Sequence, residues 1–121
     1  MKKHLIMSRN AARPLRDERY GTVWETAGPD TGLTELSFAH AEVDVGKTLP
    51  AHFHERMSEI YHIIGGTGVM LLDGVPHEIH AGDTISLPPR TIHSLINTGT
   101  EPVRLLVATS PTYDLKDDHE I

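Results

Sequence analysis

Turn-forming residues recur at short intervals along this chain, and they limit the length of any regular element between them. They occur as Gly28-Pro29-Asp30, Gly46, Gly65-Gly66, Asp73-Gly74, Gly82-Asp83, Pro88-Pro89 and Asn97-Thr98-Gly99. Most of the intervening segments are too short for helices, whereas strands commonly span about 3–10 residues. The spacing therefore favours an all-β protein made of short strands.

Several of the intervening segments have the pattern of strands. Apolar and polar residues alternate over residues 41–45, which is the period of a strand with one buried face. Residues 67–72 and 75–79 flank Asp73-Gly74, a pair that favours a hairpin with a two-residue turn. About seven evenly spaced short strands indicate an antiparallel sandwich or barrel. The remaining predicted strands lie at residues 58–64, 84–87, 92–96 and 103–109.

Composition restricts the class of protein further. A chain of 121 residues with 38% hydrophobic side chains can form one domain whose core needs no disulfides. It contains no cysteine, which excludes disulfides, thiolate metal sites and cysteine nucleophiles. Its net charge of −6 disfavours a nucleic-acid partner. Neither a signal peptide nor an apolar run of about 18 residues is present, so we expect a cytoplasmic protein without a membrane partner.

The turns and strands divide the chain into a barrel and two flanks. We expect a single barrel at residues 21–110, an N-terminal arm at 1–20 and a C-terminal tail at 111–121. The arm contains four arginines and could be a solvated arm, a loop or a short helical turn. The tail ends in charged residues at 116–120, which we expect to be exposed.

Three of the nine histidines and one glutamate form a candidate metal site. His52 and His54 are two residues apart, so on extended backbone both side chains lie on the same face. Glu59 can return beside the two imidazoles if residues 55–58 turn the chain. His93 lies early in a later predicted strand. Together they offer three imidazole nitrogens and one carboxylate oxygen, a set suited to a first-row divalent metal.

Two spaced motifs contain these four residues. The first is glycine, five residues, His-x-His, four residues, glutamate, six residues and glycine, at residues 46–66. The second, at residues 82–97, is glycine, five residues, Pro-Pro-Arg, two residues, histidine, three residues and asparagine. The pair resembles the two motifs of the cupin family, with Arg90 where the family has glycine. The 15 residues between the motifs are similar to the spacing in small single-domain cupins.

The resemblance implies both a fold and a metal site. It implies a double-stranded β-helix, the jelly-roll barrel of the cupins, with one divalent transition metal ion in its mouth. The implied ligands are His52, His54, Glu59 and His93, and they are compatible with Mn, Fe, Ni, Zn or Cu. In the alternative interpretation these residues line the barrel without a metal.

Candidate residues for catalysis and substrate binding follow from strand parity and side-chain chemistry. Tyr61 is the candidate acid or base, the alternative being a core tyrosine held by one hydrogen bond. Arg90 could clamp a carboxylate or phosphate, or it could be a solvated turn residue. Because arginine prefers an ordinary turn to the positive φ that glycine permits, the local loop could be rebuilt. Asn97, which shares a strand face with His93, is the second candidate for substrate binding. The other residues considered to be near the metal are Ile63 and Leu95, with Met57, Arg56 and Arg104 as further candidates.

The other histidines need no functional explanation. His62 lies between Tyr61 and Ile63, so the alternation of a strand directs it away from the metal. His40, His77 and His80 are expected on strand surfaces or turns, and the remaining two lie near the termini.

Two classes of function are compatible with this site. The first is a metal-dependent enzyme of isomerase, decarboxylase, lyase or dioxygenase type, acting on a small polar or anionic oxygen-rich molecule such as a sugar, uronate or keto acid. The second is a binding or sensory barrel that holds a small molecule without turnover. A homodimer is expected as well, because small cupins commonly pair and strand edges invite association. Ile60, Ile64, Ile92 and Ile96 could form its interface or fill the other side of the sandwich.

Overall fold

A computed structural model describes residues 5–121 of the chain, and strands dominate it. His4 and the first part of the predicted arm lie outside the described residues. Among residues 5–121 there are three single-turn 3₁₀ helices, at Arg9–Ala11, Pro29–Thr31 and Leu115–Asp117. No helix among residues 5–121 has the length and apolar character needed to span a bilayer. The strands are β1 (Pro14–Asp17), β2 (Gly21–Ala27), β3 (Ser37–Val43), β4 (Thr48–Phe53), β5 (Ser58–Gly65), β6 (Thr67–Leu72), β7 (Val75–His80), β8 (Thr84–Leu87), β9 (His93–Asn97), β10 (Val103–Ser110) and β11 (His119–Glu120).

The strands form two antiparallel sheets that face each other. One sheet has the order β1-β2-β3-β10-β5-β8 and the other has the order β11-β4-β9-β6-β7. From β3 to β10 the chain repeatedly changes sheet, and only β6 and β7 are consecutive strands of the same sheet. This alternation is typical of a jelly roll. The predicted all-β double-stranded β-helix is therefore confirmed.

The predicted hairpin is also confirmed. Strands β6 and β7 pair through Leu72 and Val75, with Asp73 and Gly74 between them. Both turn residues have positive φ, 48° for Asp73 and 83° for Gly74. That is the conformation that a tight two-residue hairpin turn requires, and aspartate and glycine adopt it at low cost.

The hydrophobic core lies between the sheets and closes one end of the barrel. Ile63 of β5, Met70 of β6, Leu95 of β9 and Val103 of β10 have no solvent exposure. They alternate with outward-facing residues along their strands, as the two-residue period requires. The same core borders the cavity described below, because Ala41, Val43 and Leu105 belong to both.

Both flanks contribute strands to the sheets. Strand β1 pairs with β2, and β11 pairs with β4. The expectation that residues 116–120 are exposed is wrong for Asp117, whose side chain is only 3% exposed. The reason is that Asp117 packs against the loop that follows β4, where backbone N–H groups bind its carboxylate.

Candidate metal centre

Strand pairing brings the four candidate ligands to one end of the barrel. His52 of β4 lies directly opposite His93 of β9 in the five-stranded sheet, and their ring centroids are 4.2 Å apart. His54 follows one residue after β4 ends. Glu59, the second residue of β5, belongs to the six-stranded sheet, opposite Thr109 of β10. The site is therefore assembled from both sheets.

The ligand atoms of the four residues converge in a buried space. All four side chains are between 1% and 7% exposed, and one ligand atom from each lies within 4.8 Å of the others. Glu59 Oε1 is 2.9 Å from His54 Nε2 and 3.4 Å from His93 Nε2. The second carboxylate oxygen, Oε2, accepts a hydrogen bond of 3.3 Å from the hydroxyl of Thr109.

Backbone carbonyls determine which ring nitrogen of each histidine faces the site. A carbonyl oxygen can only accept a hydrogen bond, so each Nδ1 next to one carries the proton. In the neutral ring, Nε2 then has a free lone pair, which is the form a metal ligand needs. The Nδ1–carbonyl distances are 2.8 Å from His52 to Pro50, 2.8 Å from His54 to Asp117 and 2.9 Å from His93 to Thr91.

Three of the converging atoms are buried without a hydrogen-bond partner. They are Nε2 of His54, Oε1 of Glu59 and Nε2 of His93. With both Nδ1 atoms protonated, the two Nε2 lone pairs face a carboxylate oxygen, so acceptors oppose acceptors. Buried acceptors in this arrangement are unfavourable unless a cation lies among them. The donor set and its geometry therefore fit a divalent transition metal ion.

Electrostatics hold the carboxylate in its charged form. Burial alone would raise the pKa of Glu59, but the facing imidazoles of His54 and His93 outweigh it and lower the pKa to about 2. Burial, together with the neighbouring His93, lowers the pKa of His52. Burial opposes the charged form of His54 as well, but the contact with Glu59 prevails and raises its pKa. An ionised Glu59 and a neutral His52 are the protonation states that metal coordination requires.

A cavity of about 470 Å³ opens beside the site, and three of the four candidate ligands, His52, His54 and Glu59, line it. Much of its wall is aliphatic, and the exposed ion pair of Arg19 and Glu120, 2.7 Å apart, also lies on it. This volume is suited to a small molecule. The aliphatic lining residues are Leu15, Val23, Ala39, Ala41, Val43, Leu49, Pro50, Leu105, Val107 and Leu115, and the polar ones besides the site residues include Tyr20, Glu25, Ser37, Thr109, Tyr113 and Asp118.

Tyr61 lines this cavity next to the ligands. Its ring centroid is 5.7 Å from that of His93, and the residue is 4% exposed. Burial, with the nearby charge of Glu59, raises the pKa of Tyr61 well above its ordinary value. The phenol therefore stays protonated at neutral pH and can act as a hydrogen-bond donor.

The two predicted substrate-binding residues are not brought to the cavity. Asn97 is buried with its amide bound to backbone groups, and Arg90 is an exposed turn residue that is absent from the cavity wall. A rebuilt loop at Arg90 was one possibility. In the structure Arg90 adopts a φ of 70°, which lies in the region that glycine adopts most easily, and its N–H donates to the carbonyl of His54 at 2.6 Å.

The other predicted neighbours of the site lie farther from it. Ile63 and Leu95 belong to the core, and Met57 is buried but absent from the cavity wall. Arg104 lies on the outer face, 3.7 Å from Glu42. Arg56 is exposed, with its guanidinium 3.4 Å from Asp114. None of these five side chains lines the cavity.

The interpretation of His62 agrees with the structure. Its Nδ1 lies 2.8 Å from the hydroxyl of Thr84 on the neighbouring strand β8, and it is not among the residues that line the cavity. The alternation of β5 thus separates His62 from Glu59 and Tyr61, which face the interior.

Sequence reasoning missed several cavity residues. Thr109 lies two residues after Val107 and four after Leu105, so all three face the same side of the strand predicted at 103–109. That alternation could have placed Thr109 beside the cavity. Tyr113 and Asp118 lie in the tail, for which no periodic pattern predicts a face. Their position depends on where the tail packs, which the local sequence does not show.

Comparison with known proteins agrees with this architecture. The Cupin domain family matches residues 39–109, more than half of the chain. Protein MJ1618 of Methanocaldococcus jannaschii is 41% identical over 81 residues, which is 67% of this chain and 65% of that protein. Dimethylsulfoniopropionate lyase DddW of Ruegeria pomeroyi is 34% identical over 91 residues, 73% of this chain and 59% of the lyase. The chain thus spans less than two thirds of either relative.

Solved structures show the same barrel. The polyketide cyclase RemF from Streptomyces resistomycificus superposes with a TM-score of 0.81 over 100% of this chain and 86% of its own, at 19% identity. At that identity the likeness concerns the fold. The family match, the two sequence motifs and the paired sheets agree, and this chain belongs to the cupin family.

Proposed function

We propose that this protein is a metal-dependent enzyme that acts on a small molecule in the cavity beside the four ligands. The observation that carries the proposal is the convergence of three Nε2 atoms and Glu59 Oε1, with their proton-bearing Nδ1 atoms turned toward backbone carbonyls. The ion would be bound by His52, His54, Glu59 and His93. One ion per chain is proposed, with Mn, Fe, Ni, Zn and Cu all suited to the ligand set.

A bound ion would supply Lewis-acid chemistry, polarising an oxygen atom of the substrate. The protein residues hold that substrate in place. Tyr61, protonated and next to His93, can donate a hydrogen bond or a proton to an oxygen of the bound molecule. The hydroxyl of Thr109 holds the second oxygen of Glu59, which leaves Oε1 directed toward the imidazoles.

The cavity wall restricts the substrate. Oxygen atoms, anionic or neutral, suit the end near the ligands and Tyr61. Ala39, Ala41 and Val107 present aliphatic surface on the wall, so a part of the molecule is expected to be apolar. The proposed substrate is thus a small oxygen-containing molecule, such as a keto acid, with an apolar portion. DddW is named as a lyase and RemF as a cyclase, which supports an enzyme in this barrel.

Removal of one ligand tests the proposal. Glu59→Ala is expected to abolish both bound metal and turnover, with metal measured by elemental analysis after dialysis and turnover by a screen of keto acids, uronates and sugars in air. His62→Ala is the matched control, because His62 lies on the same strand and faces outward. Turnover by a metal-free Glu59→Ala protein would overturn the proposal. Ligands that bind tightly and are recovered unchanged would support a binding protein, the alternative function.

A homodimer is part of the proposal. Ile60 and Ile64 of β5 are 47% and 49% exposed, and Ile92 is 37% exposed, so these isoleucines do not fill the barrel interior. Ile60 and Ile64 form an apolar surface on the outside of the six-stranded sheet, which a second copy of the chain could cover. Sedimentation of the wild type and of Ile60→Lys tests this, and a monomeric wild type would refute it.

A further inference from the structure

The C-terminal segment, residues 111–121, fastens the two sheets together beside the metal centre. Near its start, the N–H of Tyr113 donates to the hydroxyl of Ser37 in the six-stranded sheet at 2.9 Å. At its end, the N–H of Ile121 donates to the carbonyl of Ala51 in the five-stranded sheet at 3.1 Å. We call this segment the C-terminal strap. Between its two attachments it covers the loop that joins β4 to β5.

One residue of the strap binds that loop through its carboxylate. Asp117 Oδ1 accepts the N–H of Glu55 at 2.9 Å, and Oδ2 accepts the N–H groups of Arg56 and Met57 at 3.0 Å each. Three successive amides thus share one buried carboxylate, which is the arrangement of a strong charge-assisted site. Residues 55–57 connect His54 to Glu59, so Asp117 holds the connection between two ligands.

The same residue also binds a ligand directly. The carbonyl of Asp117 accepts the Nδ1 proton of His54 at 2.8 Å. The comparable bonds of His52 and His93 are local, because each ring donates to a carbonyl two residues earlier in its own chain segment. The partner of His54 is 63 residues away. The orientation of His54 alone among the three imidazoles therefore depends on the packing of the strap.

We infer that Asp117 is a positioning residue for the metal centre: by holding residues 55–57 and the ring of His54, it couples the packing of the C-terminal strap to metal affinity. The inference rests on the proposed function, since it assumes that the four residues bind a metal. Partners that orient ligating histidines commonly change metal affinity by about 10–100-fold when removed. Since such coupling is reciprocal, metal binding must also stabilise the packed strap.

Asp117→Asn tests the carboxylate with little change in shape. An amide offers one acceptor oxygen, and its NH₂ group would face at least one of the three N–H donors. We expect the affinity for Co²⁺, measured by competition with a chromophoric chelator, to fall about 10–100-fold, with a change in the visible Co²⁺ spectrum. Asp114→Asn is the matched control, because this carboxylate lies in the same strap and accepts the N–H of Lys116, while it reaches residues 55–57 only through the exposed guanidinium of Arg56 at 3.4 Å and binds none of their backbone N–H groups. Its Co²⁺ affinity is expected to stay within about threefold of wild type.

Hydrogen exchange of the wild type provides a test that needs no variant. The amides of residues 55–57 are expected to exchange slowly and together with those of the strap, and Co²⁺ is expected to slow both sets further. Fast exchange at 55–57, or no effect of Co²⁺ on the strap, would overturn the inference even if Asp117→Asn does not fold.

The two proposals fail in different ways. A wild-type protein that binds no metal would refute the metal-dependent function. A wild type that binds Co²⁺ with the same affinity and spectrum as a folded Asp117→Asn protein would refute only the role of Asp117.

Discussion

Two buried polar side chains occupy the ends of β9, and their polar atoms are used differently. Asn97 donates its amide protons to the carbonyls of Val43 and Glu101 at 3.0 and 2.9 Å, and its oxygen accepts the N–H of Gly99 at 2.9 Å. His93, four residues earlier on the strand, has an Nε2 atom with no hydrogen-bond partner. Both side chains are under 5% exposed.

The difference distinguishes a polar group that stabilises the fold from one that is available to a ligand. Nearly all buried polar groups in proteins are hydrogen-bonded, and an unpaired one costs about 1–3 kcal/mol. Asn97 obeys this rule within the chain. The Nε2 atom of His93 has a partner only when a metal ion is bound. Two motif residues of similar burial therefore have different roles.

The largest expected effect is the loss of metal on removal of His93. His93→Ala is expected to weaken the binding of Co²⁺ or Zn²⁺ by more than about 100-fold, because a ligand removed directly should matter more than an orienting partner. The metal-free protein is expected to stay folded, since the substitution removes only one hydrogen bond, the one from Nδ1 to the carbonyl of Thr91. Chelator competition measures affinity, and circular dichroism checks the fold. Unchanged affinity would remove His93 from the site.

The opposite behaviour is expected at the other end of the strand. Asn97→Ala removes three hydrogen bonds and leaves buried backbone groups unpaired, so the free energy of unfolding should fall by about 2 kcal/mol or more. The Co²⁺ affinity of the folded protein is expected to change less than about threefold. Urea denaturation of the metal-free protein gives the first quantity. A large loss of metal affinity with normal stability would reverse the assignment of the two residues.

Acidification should change the contribution of Glu59, which faces His93, to the free energy of unfolding. It should not change the contribution of Asn97, because that side chain does not ionise. In the metal-free protein the facing histidines lower the pKa of Glu59 from 4.5 to about 2. A carboxyl group whose pKa is lower in the folded state than in the unfolded state stabilises the fold at pH values above its unfolded-state pKa. This stabilisation is lost as the pH falls toward the folded-state pKa. The difference in unfolding free energy between wild type and Glu59→Gln is therefore expected to change between about pH 4.5 and 2 in chelator. A difference independent of pH would contradict this.

The smallest effect is expected at the turn that leads into β9. Arg90 has a φ of 70°, which costs a side chain with a Cβ about 1–2 kcal/mol, whereas glycine adopts it freely but loses more entropy on folding. Arg90→Gly is expected to raise the free energy of unfolding by up to about 1 kcal/mol and to leave metal affinity unchanged. A lower stability would show that the arginine side chain has a role that its exposure does not indicate.

Local sequence patterns predicted much of the fold and brought the four candidate ligands together. The hairpin at Asp73 and Gly74 and the strand Thr84–Leu87 follow from turn chemistry and alternation, which are properties of neighbouring residues. The spacing of His52, His54 and Glu59, with His93 in a later strand, predicted a cluster of these side chains. Strand pairing in the structure produces that cluster. For the hairpin, for the strand and for the segment from His52 to Glu59 the information lies within a few residues, whereas His93 was added to the set through the second motif.

The failures involve contacts between distant segments. Asn97 has the residue type and strand parity of a substrate contact, but Val43 is 54 residues away in sequence, and only the fold shows that its carbonyl binds the amide. The role of Asp117 depends on amides about 60 residues earlier. Arg90 departs from expectation because the hydrogen bond from its N–H to His54 favours the turn geometry over the preference of the side chain.

The division of the ligands between the sheets has a consequence for the stability of the barrel. His52 and His93 belong to one sheet and Glu59 to the other, so a bound ion would join the two halves much as a disulfide joins two strands. This chain has no cysteine with which to form a permanent crosslink. Metal binding to the folded state alone stabilises it by an amount that increases with the free metal concentration. The barrel would then have a reversible crosslink whose contribution depends on metal supply.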